Sequence, residues 1–279
     1  MIEEFDLFSF STPKFKIDKP IRLIELFAGI GSQAKALKNL GVEFEHWRVI
    51  EWDRFAVASY NAIHGTDFTT KDISLTHAED LGITDTEKYI YIVTYSFPCQ
   101  DLSLAGNQRG MSKGSGTRSG LLWEVERILD ECTELPQVLL MENVPQVVGS
   151  KNIKDFKLWR KKLESLGYSC HVQLLNAKDV GWPHPIPQNR NRCFMVSLLG
   201  DYSYKFPSKS KLELRLKDVL EDEVDEKYYI SAKQTQGMIN TKFHQYSLKT
   251  ALRDREDIAK TILERFEGAP QCVTVDDEE

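Results

Sequence analysis

No stretch of the 279-residue sequence approaches the ~18 consecutive apolar residues of a membrane-spanning helix, so no membrane partner is expected. Met1 to Pro20 lacks the uninterrupted apolar core of a secretory signal. Cysteine is scarce: Cys99, Cys132, Cys170, Cys193 and Cys272 are odd in number and form no C-x-x-C pair, which excludes a disulfide scaffold or a zinc ribbon. No metal is expected, and the thiols fit a reducing cytoplasm. Internal repeats are absent, which excludes a solenoid. An excess of positive charge is also missing. The net charge of −6 argues at first against nucleic acid, but the last four residues, Asp276, Asp277, Glu278 and Glu279, carry much of it. The stretch from Leu102 to Gly120 holds Arg109, Lys113 and Arg118 and no acid, and local charge decides phosphate contacts.

What is present is an alternation of strands and helices. Ile21 to Phe27 reads as a buried strand, punctuated by Gly29 and Gly31. Ser32 to Leu40 has helical spacing and stops at Gly41. Phe44 to Trp52 reads as a second strand and Phe55 to His64 as a second helix. Tyr91 to Gln100 is an apolar, β-like run broken by Pro98, and Val138 to Met141 is a further apolar run. Leu121 to Cys132 and Phe156 to Leu166 are amphipathic helices; Tyr168 to Asn176 and Arg192 to Leu199 are late strands. This order predicts an α/β fold with a doubly wound, mostly parallel sheet. Composition shifts near Gly200, so residues 1–200 are expected to form a catalytic domain and 201–279 a connector with a partial second region.

Four places carry chemistry. Phe27-Ala28-Gly29-Ile30-Gly31-Ser32-Gln33-Ala34 fits G-x-G-x-x-A between a strand and a helix, and Glu51 ends the next strand, where an acid can hold ribose hydroxyls. The pattern predicts a nucleoside-containing cofactor without separating NAD from S-adenosylmethionine; the bland alternative is a plain strand-turn-helix corner. Cys99 follows the rigid Pro98 and precedes the basic, glycine-rich segment Gly106, Gly110, Gly114, Gly116 and Gly120. An isolated cysteine is most often a small buried hydrophobe, whereas cationic, partly exposed surroundings favour the thiolate. Glu142 ends an apolar strand, where a carboxyl can stay protonated and donate to a ring nitrogen. Arg190 and Arg192 precede the last strand at i, i+2 spacing, which on an extended segment points them the same way.

Taken in order, these elements resemble the DNA (cytosine-5)-methyltransferase family over roughly residues 21 to 200. Phe27 to Gly31 looks like its first cofactor motif, Glu51-Trp52-Asp53 like the ribose- and adenine-contacting motif, and Asp72-Ile73 like the pair at the adenine edge. Ser96-Phe97-Pro98-Cys99-Gln100 looks like the nucleophile motif, with Pro98 against the cofactor. Glu142-Asn143-Val144 looks like the cytosine-gripping motif, and Gln188-x-Arg190-x-Arg192 like the third substrate motif. The resemblance implies a Rossmann-like, S-adenosylmethionine-dependent methyltransferase acting on double-stranded DNA. Cys99 would add to C6 of a flipped cytosine, Glu142 would hold N3, and Arg192, beside Arg190, would contact O2. Gln100, Ser103, Arg109, Lys113, Arg118, Asn143 and Gln188 would face DNA, the glycine-rich segment acting as a mobile lid. Restriction-modification or phage and host DNA protection is the implied setting, in a bacterial cytoplasm beside the nucleoid.

Two departures stand out. Gly181-Trp182-Pro183-His184-Pro185-Ile186-Pro187 is longer than the family's usual approach to its glutamine-arginine motif. The motif that supports the target-recognition domain and the Gln-x-Gly-Asn helix are not found in residues 201–279; Lys205 to Ile230 resembles the connector into that domain. A truncated or split enzyme is therefore expected, with an unusually minimal one as the third option. Such a chain would bind cofactor weakly and methylate little until a separate C-terminal polypeptide carried the missing motifs. Alternatives are a non-catalytic, partner-dependent DNA-binding half, a transfer-RNA methyltransferase, and an NAD oxidoreductase, which leaves Cys99, Glu142 and Arg192 unexplained.

Overall fold

The structure, a computed structural model, describes residues 12–102, 109–181, 183–225, 231, 252–253, 257, 259–260 and 272–273. Ser103, Gly106, Trp182, most of the Ile258 to Phe266 segment and the acidic tail lie outside the described residues. The chain divides into two compact units, one of Met1–Leu174 with Arg192–Phe206, the other of Leu175–Asn191 with Pro207–Glu279.

The first unit is built on a six-stranded sheet. Its strands are β1 (Ile21–Leu26), β2 (Phe44–Ile50), β3 (Ile90–Tyr95), β4 (Val138–Asn143), β5 (Tyr168–Asn176) and β7 (Asn191–Leu199), in the order β2-β1-β3-β4-β7-β5. β1 is parallel to β2 and β3, β3 is parallel to β4, and β7 runs antiparallel to β4. β3 is buried at every position and β1 at all but Arg22, as the near-continuous apolar runs require of strands covered on both faces. The helices are α1 (Ser32–Asn39), α2 (Arg54–His64), α3 (Ala78–Leu81), α4 (Leu122–Glu131) and α5 (Ile153–Ser165). α5 buries Phe156, Trp159 and Leu163 along one stripe, and the Trp159 indole meets Tyr95 and Trp123 edge to face. Trp159 Nε1 donates to the Tyr95 hydroxyl at 3.1 Å, so the core indole is not left unsatisfied.

Register places the site. Leu26 lies opposite both Ile50 and Tyr95, and Tyr95 lies opposite Met141. The residues that follow each strand therefore emerge along one edge: Phe27 after β1, Glu51 after β2, Ser96 after β3, with Glu142 and Asn143 at the end of β4. Strand order reverses at β1, between β2 and β3, which is where open α/β sheets place a ligand.

In the second unit, β6 (Gln188–Asn189) pairs in parallel with β9 (Ala259–Lys260), and β8 (Leu252–Arg253) with β10 (Cys272–Val273). Among the described residues no helix is long and apolar enough to cross a membrane.

Candidate active site

The turn after β1 is held in an unusual backbone form. Phe27 has φ of 57°, sparsely populated for a residue with a Cβ, and its amide and that of Ala28 both donate to the Ile50 carbonyl, at 2.8 and 3.3 Å. Gly29 and Gly31 have φ of 56° and 80°. A Cβ on Gly29 would meet nothing within 4 Å, so its backbone faces open space; a Cβ on Gly31 would fall 2.3 Å from His64 Nε2 and 2.6 Å from Tyr60 Cε2. The first glycine leaves room for a ligand and the second for the protein's own packing. Gly31→Ala is expected to lower the melting temperature more than Gly29→Ala, because both incur about 1–2 kcal/mol of left-handed strain but only Gly31 adds a collision. Thermal denaturation of the two variants checks this, and equal losses would contradict it.

Glu51, 8% exposed, accepts from the Gly29 amide at 2.9 Å through Oε2 and from the Asp53 amide at 2.9 Å through Oε1. Each carboxylate oxygen keeps a lone pair for a hydroxyl, so the arrangement fits a ribose diol. Trp52, 74% exposed, and Ile30, 51% exposed, present apolar surface to solvent on the segments that carry Glu51 and Gly29. Asp72 Oδ1 accepts from the Ser74 amide and hydroxyl at 2.9 and 2.7 Å, which holds this carboxyl below the usual carboxylate range. The Lys71 amide donates to the Glu51 carbonyl at 2.8 Å, joining this segment to the glycine turn. Ile73 is buried, and Arg127 of α4 donates to the carbonyls of Ile73 and Thr76 at 3.2 and 2.7 Å. Arg127 was not legible as a site residue because α4 is more than fifty positions away. A buried carboxylate on backbone amides, an open glycine and an exposed indole are the parts a nucleoside sulfonium needs, so these residues fit S-adenosylmethionine.

Cys99 stands beyond β3 on a loop anchored from two directions. The Asn143 amide donates to the Phe97 carbonyl at 2.9 Å, and Ser119 Oγ donates to the Pro98 carbonyl at 2.6 Å. Asn143 Oδ1 accepts from the Val144 amide at 2.8 Å. The same asparagine therefore closes β4 and fixes the backbone two residues before the thiol. The Leu102 amide donates to the Cys99 carbonyl at 2.9 Å, and Gln33 of α1 donates to Ser96 Oγ at 3.0 Å. Cys99 is half-buried, with the next residue, Gln100, exposed. Burial pushes the other described thiols away from reactivity: Cys132 up to about 11, Cys193 up to about 12, and Cys170 upward. Glu142 and Arg192 form an ion pair, Arg192 Nε to Glu142 Oε1 at 2.9 Å, with side chains 23% and 15% exposed. It follows from the antiparallel register, which sets Asn143 opposite Cys193.

The sequence matches the description of C-5 cytosine-specific DNA methylase over residues 21–268. The chain belongs to that family. The orphan methyltransferase M.SssI of Spiroplasma monobiae is 36% identical over 263 residues, covering 75% of this chain and 67% of the relative. The type II methyltransferase M2.ScrFI of Lactococcus lactis subsp. cremoris is 34% identical over 262 residues, covering 77% and 71%. The chain thus spans about 67–71% of the length of these relatives. The crystal structure of the S. pombe Dnmt2 methyltransferase shares the fold, with a TM-score of 0.67 at 21% identity, covering 92% of this chain and 77% of that one. The family makes this protein a DNA (cytosine-5)-methyltransferase, with the Rossmann-like methyltransferase fold and S-adenosylmethionine as the implied donor.

Two parts of this methyltransferase look different in three dimensions from their sequence. The basic segment after Cys99 is partly neutralised by acids from outside it. Arg109 Nε lies 3.0 Å from Oδ1 of Asp101, which is 2% exposed, and Lys113 pairs with Glu126 of α4. Asp101 also accepts from the Arg118 amide at 2.8 Å and, through its carbonyl, from the Gly110 amide at 2.9 Å. These contacts hold the Asp101 carboxyl below the usual range against its burial. The third substrate motif, in turn, is not one continuous strand. The Arg190 amide donates to the Gln188 carbonyl at 2.9 Å and to Asn176 Oδ1 at 3.1 Å, breaking the extension between β6 and β7. Gln188 and Arg190 belong to the second unit, while Arg192 joins Glu142 in the first. Among the described residues no group of His, Cys, Asp and Glu has the arrangement of a metal site.

Proposed function

We propose that the chain methylates C5 of a flipped cytosine in duplex DNA through a transient bond between Cys99 and C6. The observation that carries this reading is the Asn143 bridge, which ties the loop of Cys99 to the end of β4, where Glu142 and Arg192 are paired. The loop that carries the nucleophile is thereby fixed to the strand end that carries the carboxyl–guanidinium pair.

Bound S-adenosylmethionine supplies a methyl group on a positively charged sulfur. Phe27 to Gly31, Glu51, Trp52, Asp72 and Ile73 would hold it, with Pro98 at the boundary between cofactor and base. C5 of cytosine is a poor nucleophile. Attack of the Cys99 thiolate on C6 breaks the C5=C6 double bond and moves its electron pair onto C5. Glu142 would donate a proton to N3 and Arg192 would donate to O2, so the charge from the addition is drawn into the ring. C5 would take the methyl group, the pair of the broken carbon–sulfur bond staying on the donor as a neutral thioether; C5 then loses its proton to a water acting as base, and the re-formed double bond expels the thiolate. Splitting one difficult substitution into addition and elimination is the benefit of covalent catalysis.

The base is unreachable inside a duplex, so it must leave the stack at a cost of a few kcal/mol. Gln100, Ser103, Arg109, Lys113, Arg118 and Gln188 are proposed to face the DNA, Arg109 and Lys113 exchanging Asp101 and Glu126 for phosphates, while Asn143, 2% exposed and bonded to Phe97 and Val144, serves the loop rather than the DNA. Arg109→Ala with Lys113→Ala is expected to weaken duplex binding and reduce the slope of log affinity against log salt by about 2. An unchanged slope in a fluorescence-anisotropy titration would remove these residues from the interface. The type II and orphan relatives support a DNA-modification role in a bacterial or phage setting. Tritiated methyl transfer followed by nucleoside analysis tests the reaction: label is expected in 5-methylcytosine, and label confined to adenine would reject it.

A further inference from the structure

Beneath the glycine turn lies a buried polar cluster that the transfer chemistry leaves without a role. Glu25, 1% exposed in the middle of β1, accepts from the Ala34 amide at 3.2 Å through Oε1 and from the Tyr60 hydroxyl at 2.5 Å through Oε2. It thereby caps α1, whose own N-cap residue, Gly31, has no side chain. Tyr60 gives its one proton to Glu25, so its oxygen accepts from His46 Nδ1 at 2.7 Å. That leaves His46 Nε2 a buried acceptor with no hydrogen-bond partner. His64, 8% exposed, approaches the Ile30 carbonyl with Nε2 at 3.2 Å. A carbonyl only accepts, so Nε2 carries the proton and Nδ1 is a second buried acceptor with no partner. The His64 ring centroid lies 4.5 Å from that of Tyr60 and 5.2 Å from that of His46.

We propose that His64 and Tyr60 are positioning residues that hold the Ile30–Gly31 turn in its cofactor-accepting form, and that they do so only while His64 is neutral, so that acid weakens cofactor binding. This rests on the S-adenosylmethionine reading of the turn. Contact is direct, because Gly31 is the residue whose Cβ would strike both side chains.

The surroundings of His64 explain the dependence on charge. It faces Lys35 and Lys38 of α1, His46 of β2 and Tyr60 of its own helix, whose hydroxyl donates to Glu25 of β1, with Lys38 Nζ 3.5 Å from its carbonyl. Burial pushes the imidazole below its ordinary value; contacts with the backbone of Ile30 and Gly31 oppose this, and the charges of Lys38 and Lys35 add to it. His46, half-buried and beside Lys38 and His64, falls to about 4 and stays neutral across the working range. When the turn lifts, His64 meets water and regains a value near ~6.5. The lifted form then binds the proton more tightly than the seated form. Seating is therefore fully favoured above that value and is lost as pH falls below it.

The experiment is a calorimetric titration of the full chain with S-adenosylmethionine at pH 7.5 and 5.5, with thermal melts at both values to confirm folding. For the wild type, affinity is expected to fall by up to about tenfold between the two. His64→Gln keeps an amide to donate to Ile30 but cannot take a proton; it is expected to bind a few-fold more weakly at pH 7.5 and to lose the extra fall at pH 5.5. Titration of the ligand itself is common to both proteins and cancels in the comparison. Tyr60→Phe, which disconnects Glu25 from His46, is expected to bind about tenfold more weakly at both values. Parallel pH profiles for wild type and His64→Gln would overturn the proposal while leaving the cofactor reading intact. Failure of folded wild-type protein to bind at pH 7.5 would overturn the cofactor reading, and the proposal with it.

Discussion

Replacing Cys99 with serine is expected to lower methyl transfer by at least about a thousandfold, with little change in melting temperature. The chemical reason is the attacking atom. A thiolate is accessible near neutral pH, whereas a serine hydroxyl stays protonated there and is a far weaker nucleophile. The structural reason for unchanged stability is that the loop is held by its backbone. The Phe97, Pro98 and Cys99 carbonyls accept from Asn143, Ser119 and the Leu102 amide, and none of these bonds uses the Cys99 sulfur. Cys132, Cys170 and Cys193 cannot substitute, since burial holds their thiols protonated. Tritiated methyl incorporation, read beside a thermal melt, checks the prediction. Near-normal turnover by Cys99→Ser would remove the nucleophile from the mechanism.

Glu142→Gln is the second large effect expected, a loss of about a hundredfold to ten-thousandfold in kcat with a smaller change in KM. The carboxyl is placed to interact with N3 as the ring gains electron density, so its contribution is greatest in the transition state. Gln keeps an oxygen for Arg192 Nε, which preserves the 2.9 Å contact in kind but removes the charge. Glu142→Ala is expected to be worse in a different way. It removes the Glu142 contact from a mostly buried guanidinium, at a cost of about 1–3 kcal/mol of stability. Kinetics on both variants, with melts, separate the two contributions. A Glu142→Gln enzyme within about threefold of wild type in kcat would place the activation of cytosine elsewhere.

Much of the frame was legible because it depends on short-range pattern. Ile21 to Phe27 reads as a buried strand and Tyr91 to Gln100 as a β-like run broken at Pro98, where the strand itself covers Ile90–Tyr95, and Gly41 follows a helix end as expected. The pairing of Gly29 and Gly31 with Glu51 was visible from spacing alone. What sequence could not show are the contacts that cross it. Asn143 was read as part of a substrate motif, yet its amide bridges to Phe97, 46 positions away. Ser119 gives no signal within its glycine-rich stretch, yet its hydroxyl donates to the Pro98 carbonyl, 21 positions away. The charge of the same stretch was misleading by itself, because Asp101 lies one residue outside it and Glu126 arrives from α4. Glu25 does carry a signal in the sequence: a single acid inside a mostly apolar strand must have partners, since buried carboxylates are rarely unpaired.

The most direct test of the account is to trap the enzyme on its base. The chain is incubated with S-adenosylmethionine and a duplex containing 5-fluorocytosine, whose C5 cannot release a proton after methyl transfer, and the products are digested and mapped by mass spectrometry. The account predicts a nucleotide covalently attached to the peptide carrying Cys99, and no adduct with Cys99→Ser. Methyl transfer to the duplex without an adduct, or an adduct on another cysteine, would contradict it.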